Sequence, residues 1–192
     1  MGQRCSWPGE FGSACGEEPK GKQASKDVRR ANYQDGWDWG PRYVTAGIWQ
    51  PVRLESWDAM RLADFHVAQQ HVDADNAQLE AQFDVRADKG GPVMLKVDWT
   101  APDGSHGHEE RGVTLAKGEN HVALPVAIAH PQRWWPVGYG EPNLYKFHAE
   151  VTSDGATVAS AERDTGLRSV ELRREKDQWG RGFAFVVNGV PI

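Results

Sequence analysis

Apolar and polar residues alternate along two stretches of the chain, Ala77–Ala87 and Val93–Trp99. Successive side chains of a β-strand point to opposite faces of the sheet, so alternation with period 2 predicts strands with one buried face. The residues expected on the buried faces are Leu79, Ala81, Phe83 and Val85 in the first stretch, and Val93, Leu95, Val97 and Trp99 in the second.

Six further short runs carry strand signals between Met60 and Arg174, separated by turn-forming residues such as Ala101–Gly104 and Ser153–Gly155. These runs are Leu62–Val72, Arg111–Leu115, His121–Ile128, Leu144–Val151, Thr157–Arg163 and Leu167–Leu172. Eight short strands at this spacing, without a helical pattern of ten or more residues, predict an all-β fold. We expect an immunoglobulin-like antiparallel β-sandwich over residues 59–174, although the Cys…Trp…Cys pattern of antibody domains is missing.

The segments on either side of this sandwich differ from it in composition. Residues 1–26 are rich in Gly, Ser, Lys and Glu, with few large apolar groups. This composition predicts either a disordered, non-family arm or a piece of a domain whose remainder is missing. Residues 27–58 contain too few strand-like runs for a complete β-domain and read as the end of one. In residues 175–192, Phe183–Val187 followed by Asn188-Gly189 predicts a hairpin, whose second arm is cut off at Ile192. We therefore expect the natural chain to continue beyond residue 192.

The overall charge and the cysteine content exclude several classes of protein. The net charge of −5 gives no basic field for nucleic acid, and no apolar run is long enough to cross a membrane. Cys5 and Cys15 fit neither a zinc pattern nor a disulfide framework. The N-terminus lacks the apolar core of a signal peptide, so the chain as written reads as cytoplasmic. The nine tryptophans are an unusually high number for 192 residues.

The segment Gly36–Arg42 is the first candidate for chemistry, because Trp37 and Trp39 flank Asp38 between glycines and a proline. An indole offers a flat apolar face to a sugar ring, and a carboxylate accepts hydrogen bonds from neighbouring hydroxyls. The structural alternative is that both indoles belong to a core and Asp38 caps a turn. The residues themselves leave both interpretations open.

A second aromatic segment spans Pro131–Pro142 and contains Trp134, Trp135 and Tyr139. It could present a ligand surface, but a stiff loop of this kind more often packs its aromatic rings between two domains. The histidines offer less, since His106 and His108 fall in a Gly/Ser-rich turn without a third ligand at metal spacing. We expect no metal site and no cofactor.

Three sequence motifs together resemble family 2 β-mannosidases over residues 27–192. Gly36–Pro41 followed by Gly47–Val52 looks like the end of the family's N-terminal jelly-roll domain. Arg133–Gly140 with Pro142, Leu144 and Tyr145 is similar to a segment of the family's immunoglobulin-like domain. Gly166–Arg168 and Phe185–Ile192 resemble the entry into its catalytic (β/α)8 barrel. Residues 1–26 do not resemble the family well.

The resemblance implies a fragment of a retaining hydrolase that removes terminal β-D-mannose. Its two catalytic glutamates would lie in a barrel outside this chain, so we assign no catalytic residue here and expect the 192-residue chain to be inactive. Asp38 matches a family position that helps to bind the terminal sugar, with Trp37 and Trp39 beside it. The partners implied are a β-mannoside or oligosaccharide and the missing barrel. The alternative is a stand-alone carbohydrate-binding or scaffold module.

Overall fold

A computed structural model describes residues 47–48, 50–52 and 54–192. The chain divides into two compact units, Met1–Glu55 and Ser56–Ile192. The second unit contains ten strands and, among the described residues, no helix. The strands are β1 (Met60–Val72), β2 (Asn76–Ala87), β3 (Gly91–Thr100), β4 (His106–Leu115), β5 (Gly118–Ala129), β6 (Tyr145–Ser153), β7 (Ala156–Thr165), β8 (Val170–Arg173), β9 (Ala184–Val187) and β10 (Val190–Pro191).

The first seven strands form a sandwich of two antiparallel sheets, ordered β1-β2-β5 and β4-β3-β6-β7. The predicted all-β, immunoglobulin-like sandwich is thereby confirmed. The jelly-roll end predicted over residues 27–58 falls mostly outside the described residues, and its described residues, 47–48, 50–52 and 54–58, form no strand. The fourth strand pairs with β3, whereas in constant-type immunoglobulin domains it joins the opposite sheet. Among the strands that the structure describes, β4 pairs on one side only and forms an edge of the four-stranded sheet.

The two sheets enclose one apolar core, and the predicted alternation is confirmed along β2 and β3. Of the eight residues expected on the buried faces, seven are buried and Trp99 is partly buried against the same core. Opposite side chains meet across the strands, as in the pair Phe65–Phe83, whose ring centroids lie 5.2 Å apart. Burial of these faces supplies the main driving force for the fold.

Strand β4 begins earlier than predicted, at His106 instead of Arg111. The inward positions of this edge strand include Glu109 and Arg111, opposite Val97 and Leu95 of β3. An edge strand extends past the rim of the core, where polar side chains reach water. Its first half therefore carries no apolar alternation from which it could be predicted.

Two bulges interrupt the pairing of β1 with β2, between Leu62 and Asp64 and between Gln69 and His71. Each inserts one residue and exchanges the faces to which the following side chains point. The second bulge leaves Gln69 opposite Leu79 on the inward side and returns Val72 to the core.

The last three strands form a separate antiparallel sheet of order β8-β9-β10, which we call the C-terminal sheet. The predicted hairpin is confirmed, since Asn188 and Gly189 have φ of 51° and 86°, as a type I′ turn requires. The strand that we expected to complete the sandwich is β8, and it pairs with β9 instead. The boundary predicted between residues 174 and 175 thus falls between two paired strands.

Candidate functional site

The residues predicted to contact sugar, Trp37, Asp38 and Trp39, lie outside the described residues. Their role stays a prediction. The structure does describe the second aromatic segment, the histidines and the C-terminal sheet. These three groups of residues are therefore the candidates for function in the described unit.

The loop Pro131–Pro142 folds back on itself between β5 and β6. Trp134 forms an isolated antiparallel bridge with Pro142, and the N–H of Trp135 donates to the carbonyl of Glu141 at 3.0 Å. A tight turn at the tip brings the N–H of Tyr139 to the carbonyl of Pro136 at 3.1 Å. The loop is thus a small hydrogen-bonded structure with a defined shape.

The Trp134 indole packs against the backbone of Gly166. A Cβ atom placed on Gly166 would lie 2.7 Å from Cγ of Trp134, so only glycine allows this approach. The guanidinium of Arg168 lies over the same indole, 4.9 Å from the ring centroid. This geometry is that of a cation–π contact and covers part of the ring.

The Trp135 indole is packed in the same manner within the loop. A Cβ on Gly140 would lie 2.8 Å from Cγ of Trp135, and the guanidinium of Arg133 lies 5.4 Å from the ring centroid. Both indoles are only partly exposed. The contacts favour the packing interpretation of this segment over a ligand surface.

Tyr145, at the start of β6, anchors the first residues of the loop. Its side chain is 2% exposed, and its hydroxyl accepts a hydrogen bond from the N–H of Gln132 at 2.9 Å. Burial raises the pKa of the Tyr145 phenol above its ordinary value, and the bond from Gln132 partly opposes that rise. The side-chain amide of Gln132 in turn donates to Asp103 at 2.9 Å.

The outer face of the four-stranded sheet carries a charged, open groove of about 630 Å³. It is lined by Asp98, Thr100, His106, His108, Lys146, His148, Glu162 and Asp164. Register places one side chain from each strand in a row, His108, Asp98, His148 and Glu162. Each carboxylate in this row has an imidazole as its neighbour, and such polar pairs across strands stabilise the surface of a sheet.

The groove side chains bind one another or nearby side chains of the same sheet instead of converging on a common point. Thr100 contacts His106 at 3.0 Å, Lys96 pairs with Asp98 at 2.9 Å, and His148 lies 3.3 Å from Glu150. Within the part of the chain that the structure describes, no cluster of three His, Cys, Asp or Glu is arranged to hold a metal ion. His106 and His108 begin β4, and the turn predicted for them ends just before.

The C-terminal sheet exposes an apolar face. Register places Leu172 opposite Phe185 on this face, and the rings of Phe183 and Phe185 meet edge to face with centroids 5.5 Å apart. Its exposed apolar residues are Val170, Leu172, Phe183, Phe185, Val190 and Ile192. Exposed apolar side chains grouped in this way mark a surface for contact with a protein, a membrane or a ligand.

Residues 60–168 match the family described as "Glycosyl hydrolases family 2". This match covers β1 to β7 and the start of the following linker, more than half of the chain. The chain belongs to glycosyl hydrolases family 2. A second match, "Glycosyl hydrolase 2 galactose-binding domain-like", covers residues 6–50 and so overlaps most of the arm predicted over 1–26.

Individual curated proteins and solved structures are similar to the chain over 70–91% of its length. It is 37% identical to Beta-mannosidase B of Aspergillus terreus over 173 residues, which cover 90% of this chain and 20% of that protein. The crystal structure of a β-D-mannosidase from Dictyoglomus thermophilum superimposes with a TM-score of 0.79 at 31% identity, covering 91% of this chain and 22% of that one. Exo-chitosanase from Amycolatopsis orientalis, at 29% identity and a TM-score of 0.56, covers 70% of this chain and 15% of that one.

The chain spans about one fifth of the length of the curated relatives it matches. Over the residues that the structure describes, there is no long apolar helix that could span a membrane.

Proposed function

We propose that the whole protein is a retaining β-mannosidase-like hydrolase that removes terminal β-D-mannose. In this proposal the 192-residue chain supplies a scaffold and a substrate-contact loop, and the catalytic glutamates lie elsewhere. The observation that supports this proposal best is the share of the chain that the similarity covers. Likeness to the β-mannosidase structure covers 91% of the chain, whereas the other family 2 structures compared cover 67–70% with TM-scores of 0.54–0.58.

The one facing pair of aspartates on β1 and β2 fits a scaffold better than a catalytic site. A retaining hydrolase needs two carboxyl groups about 5–5.5 Å apart across the scissile bond. Asp64 and Asp84 face each other across β1 and β2, but each already holds a cationic or polar partner. Arg163 contacts Asp64 at 2.9 Å and His121 contacts Asp84 at 2.6 Å, and each of these four side chains is at least 45% exposed.

The exposed apolar face of the C-terminal sheet supports the same role. The relatives are about five times as long as this chain, so most of the proposed enzyme lies outside it. In the proposal, the catalytic barrel covers Leu172, Phe185 and their neighbours, and the sandwich holds that contact in place. Its burial would contribute about 25 cal/mol for each Å² of apolar surface removed from water.

The test compares the 192-residue chain with the full-length gene product on p-nitrophenyl β-D-mannopyranoside. Parallel assays use the matching β-galactoside, β-glucuronide and β-glucosaminide, because structures of enzymes named for these sugars share the fold. We expect hydrolysis of the mannoside by the full-length protein alone, with the β-anomer of mannose as first product in an NMR time course. Preference for another glycoside, or hydrolysis by the isolated chain, would overturn the proposal.

A further inference from the structure

The linker Gly166–Ser169 joins the sandwich to the C-terminal sheet, and three separate elements hold its backbone. We infer that Gln69, Trp134 and Asn188 lock these two parts into one rigid body through this linker. Gln69 and Asn188 are then positioning residues, which fix the direction in which the apolar face of the C-terminal sheet points. This inference concerns the chain itself and does not rest on the proposed enzymatic activity.

Gln69 binds the linker from β1, using both atoms of its side-chain amide. Its Nε2 donates to the carbonyl of Gly166 at 3.2 Å, and its Oε1 accepts from the N–H of Arg168 at 2.9 Å. Gln69 lies on the inward side of β1 just before the second bulge. A polar residue at an inward position needs such partners, because an unpaired buried amide is costly.

Trp134 binds the linker from the aromatic loop. The backbone N–H of Trp134 donates to the carbonyl of Leu167 at 2.8 Å. Its indole packs against Gly166 on one side and contacts the guanidinium of Arg168. The Nη1 of Arg168 also donates a hydrogen bond to the carbonyl of Gly166 at 2.9 Å. The linker and the aromatic loop are therefore joined by both backbone and side-chain contacts.

Asn188 binds the linker from the turn between β9 and β10. Its N–H donates to the carbonyl of Ser169 at 3.0 Å, and its Oδ1 accepts from the N–H of Ser169 at 3.0 Å. Its Nδ2 donates to the carbonyl of Trp134 at 2.9 Å, which connects the C-terminal sheet directly to the aromatic loop.

The choice of asparagine at position 188 follows from these bonds. The first central residue of a type I′ turn can be Asn, Asp or Gly, since each tolerates positive φ. Of these three residues, only asparagine has both a donor and an acceptor group on its side chain, and both groups are used here. Turn geometry alone would not distinguish these residues.

The linker differs from ordinary connections between domains. Such linkers are exposed, and few contacts cross them, so relative motion is the default. Here the side chain of Leu167 is completely buried in the sandwich core, and the backbone groups named above all have partners. Bending at the linker would break several of these hydrogen bonds together.

The experiment measures residual dipolar couplings of backbone amides in the weakly aligned, ¹⁵N-labelled 192-residue chain. In the unmodified chain, one alignment tensor should fit the amides of β1–β7 and those of β8–β10 together. Asn188→Gly keeps the turn but removes both side-chain bonds, and we expect loss of the shared tensor. Asn188→Asp removes only the donor to Trp134, and we expect it to worsen the fit of one shared tensor as well.

Asp154→Gly is the matched control, because Asp154 occupies the same position of another type I′ turn, with φ of 50°. It should leave the shared tensor unchanged. Two separate tensors in the unmodified chain, or a shared tensor retained in Asn188→Gly, would overturn the inference.

Gln69→Ala covers the case in which Asn188→Gly unfolds the C-terminal sheet. This variant lies outside that sheet and removes the contact from the opposite side of the linker. Loss of the shared tensor in Gln69→Ala supports the inference even if the Asn188 variants lose the β8–β9 pairing. A shared tensor retained in Gln69→Ala under those conditions would contradict it.

Discussion

Gly166 gives the indole of Trp134 the space that a side chain would occupy. An added Cβ would lie 2.7–2.8 Å from three atoms of Trp134. The same relationship recurs in the pairs Trp135–Gly140 and Trp99–Gly107. Each glycine is thus selected by one bulky neighbour.

We therefore expect Gly166→Ala to lower the free energy of unfolding by about 1–3 kcal/mol, because the new methyl group must displace a packed indole. Urea denaturation of the 192-residue chain followed by circular dichroism measures this change. Gly91→Ala is the control, since nothing lies within 4 Å of a Cβ at that position. Equal stability of the two variants would show that Trp134 can move aside at little cost.

Neighbouring positions of β3 test the alternation directly. Leu95 is completely buried, whereas Met94 on the opposite face is 41% exposed. Leu95→Ala should lower the unfolding free energy by about 2–5 kcal/mol through lost burial and the cavity left behind. Met94→Ala should change it by less than about 1 kcal/mol. Denaturant titration of both variants would contradict the assigned faces if the two losses were similar.

Tyr145→Phe removes the hydroxyl that accepts the N–H of Gln132. We expect a loss of about 1–2 kcal/mol in unfolding free energy, because the N–H loses its acceptor. Tyr139→Phe, at an exposed position of the loop, should have no measurable effect.

The raised pKa of Tyr145 adds a dependence on pH. The stability that the protonated Tyr145 phenol contributes is fully present below its ordinary pKa of 10.0. It is lost as the pH rises through the higher pKa of the folded state. The alkaline decline in stability should therefore be smaller in Tyr145→Phe than in the unmodified chain. An identical decline in both would contradict this assignment.

Asp73 closes the turn between β1 and β2. The side chain of His71 and the N–H groups of Asn76 and Asp75 lower the pKa of Asp73 from 3.8 to about 2. Since the folded pKa is depressed, its stabilising contribution is complete above the ordinary value and is lost as the pH falls from 3.8 through about 2.

Carboxyl ¹³C titration should give a midpoint for Asp73 near 2. Asp73→Asn should remove the matching acid-induced loss of stability, whereas Asp75→Asn, which removes the same charge two residues away, should retain it. A midpoint at the ordinary aspartate value would contradict the hydrogen bonding at this turn.

The sugar-contact role that we propose for Asp38 can be tested in the full-length protein. A hydrogen bond to a charged group contributes about 1.5–3 kcal/mol, so Asp38→Asn should lower kcat/KM on a β-mannoside by about 10- to 150-fold. Asp154→Asn, in a turn of the sandwich, is the control for loss of a surface carboxylate. An unchanged kcat/KM in Asp38→Asn would remove this residue from the binding site.

The period of apolar residues by itself predicted the strands β2 and β3, since each has one face in the core and one in water. Asp154-Gly155 and Asn188-Gly189 likewise predicted their hairpins, because positive φ at these positions is a local requirement. The polar first half of β4 gave no such signal, since an edge strand is not obliged to bury alternate residues.

Pairing and the contacts of the linker depended on the tertiary structure. Neither the position of β8 beside β9 nor the approach of Trp134 to Gly166 is encoded in neighbouring residues. Gln69 reads as one of several polar residues in β1, and only its position opposite the buried Leu79 reveals that it faces inward. Local sequence determines backbone geometry and which face is apolar, whereas partners distant along the chain are decided by the packing that satisfies all buried groups together.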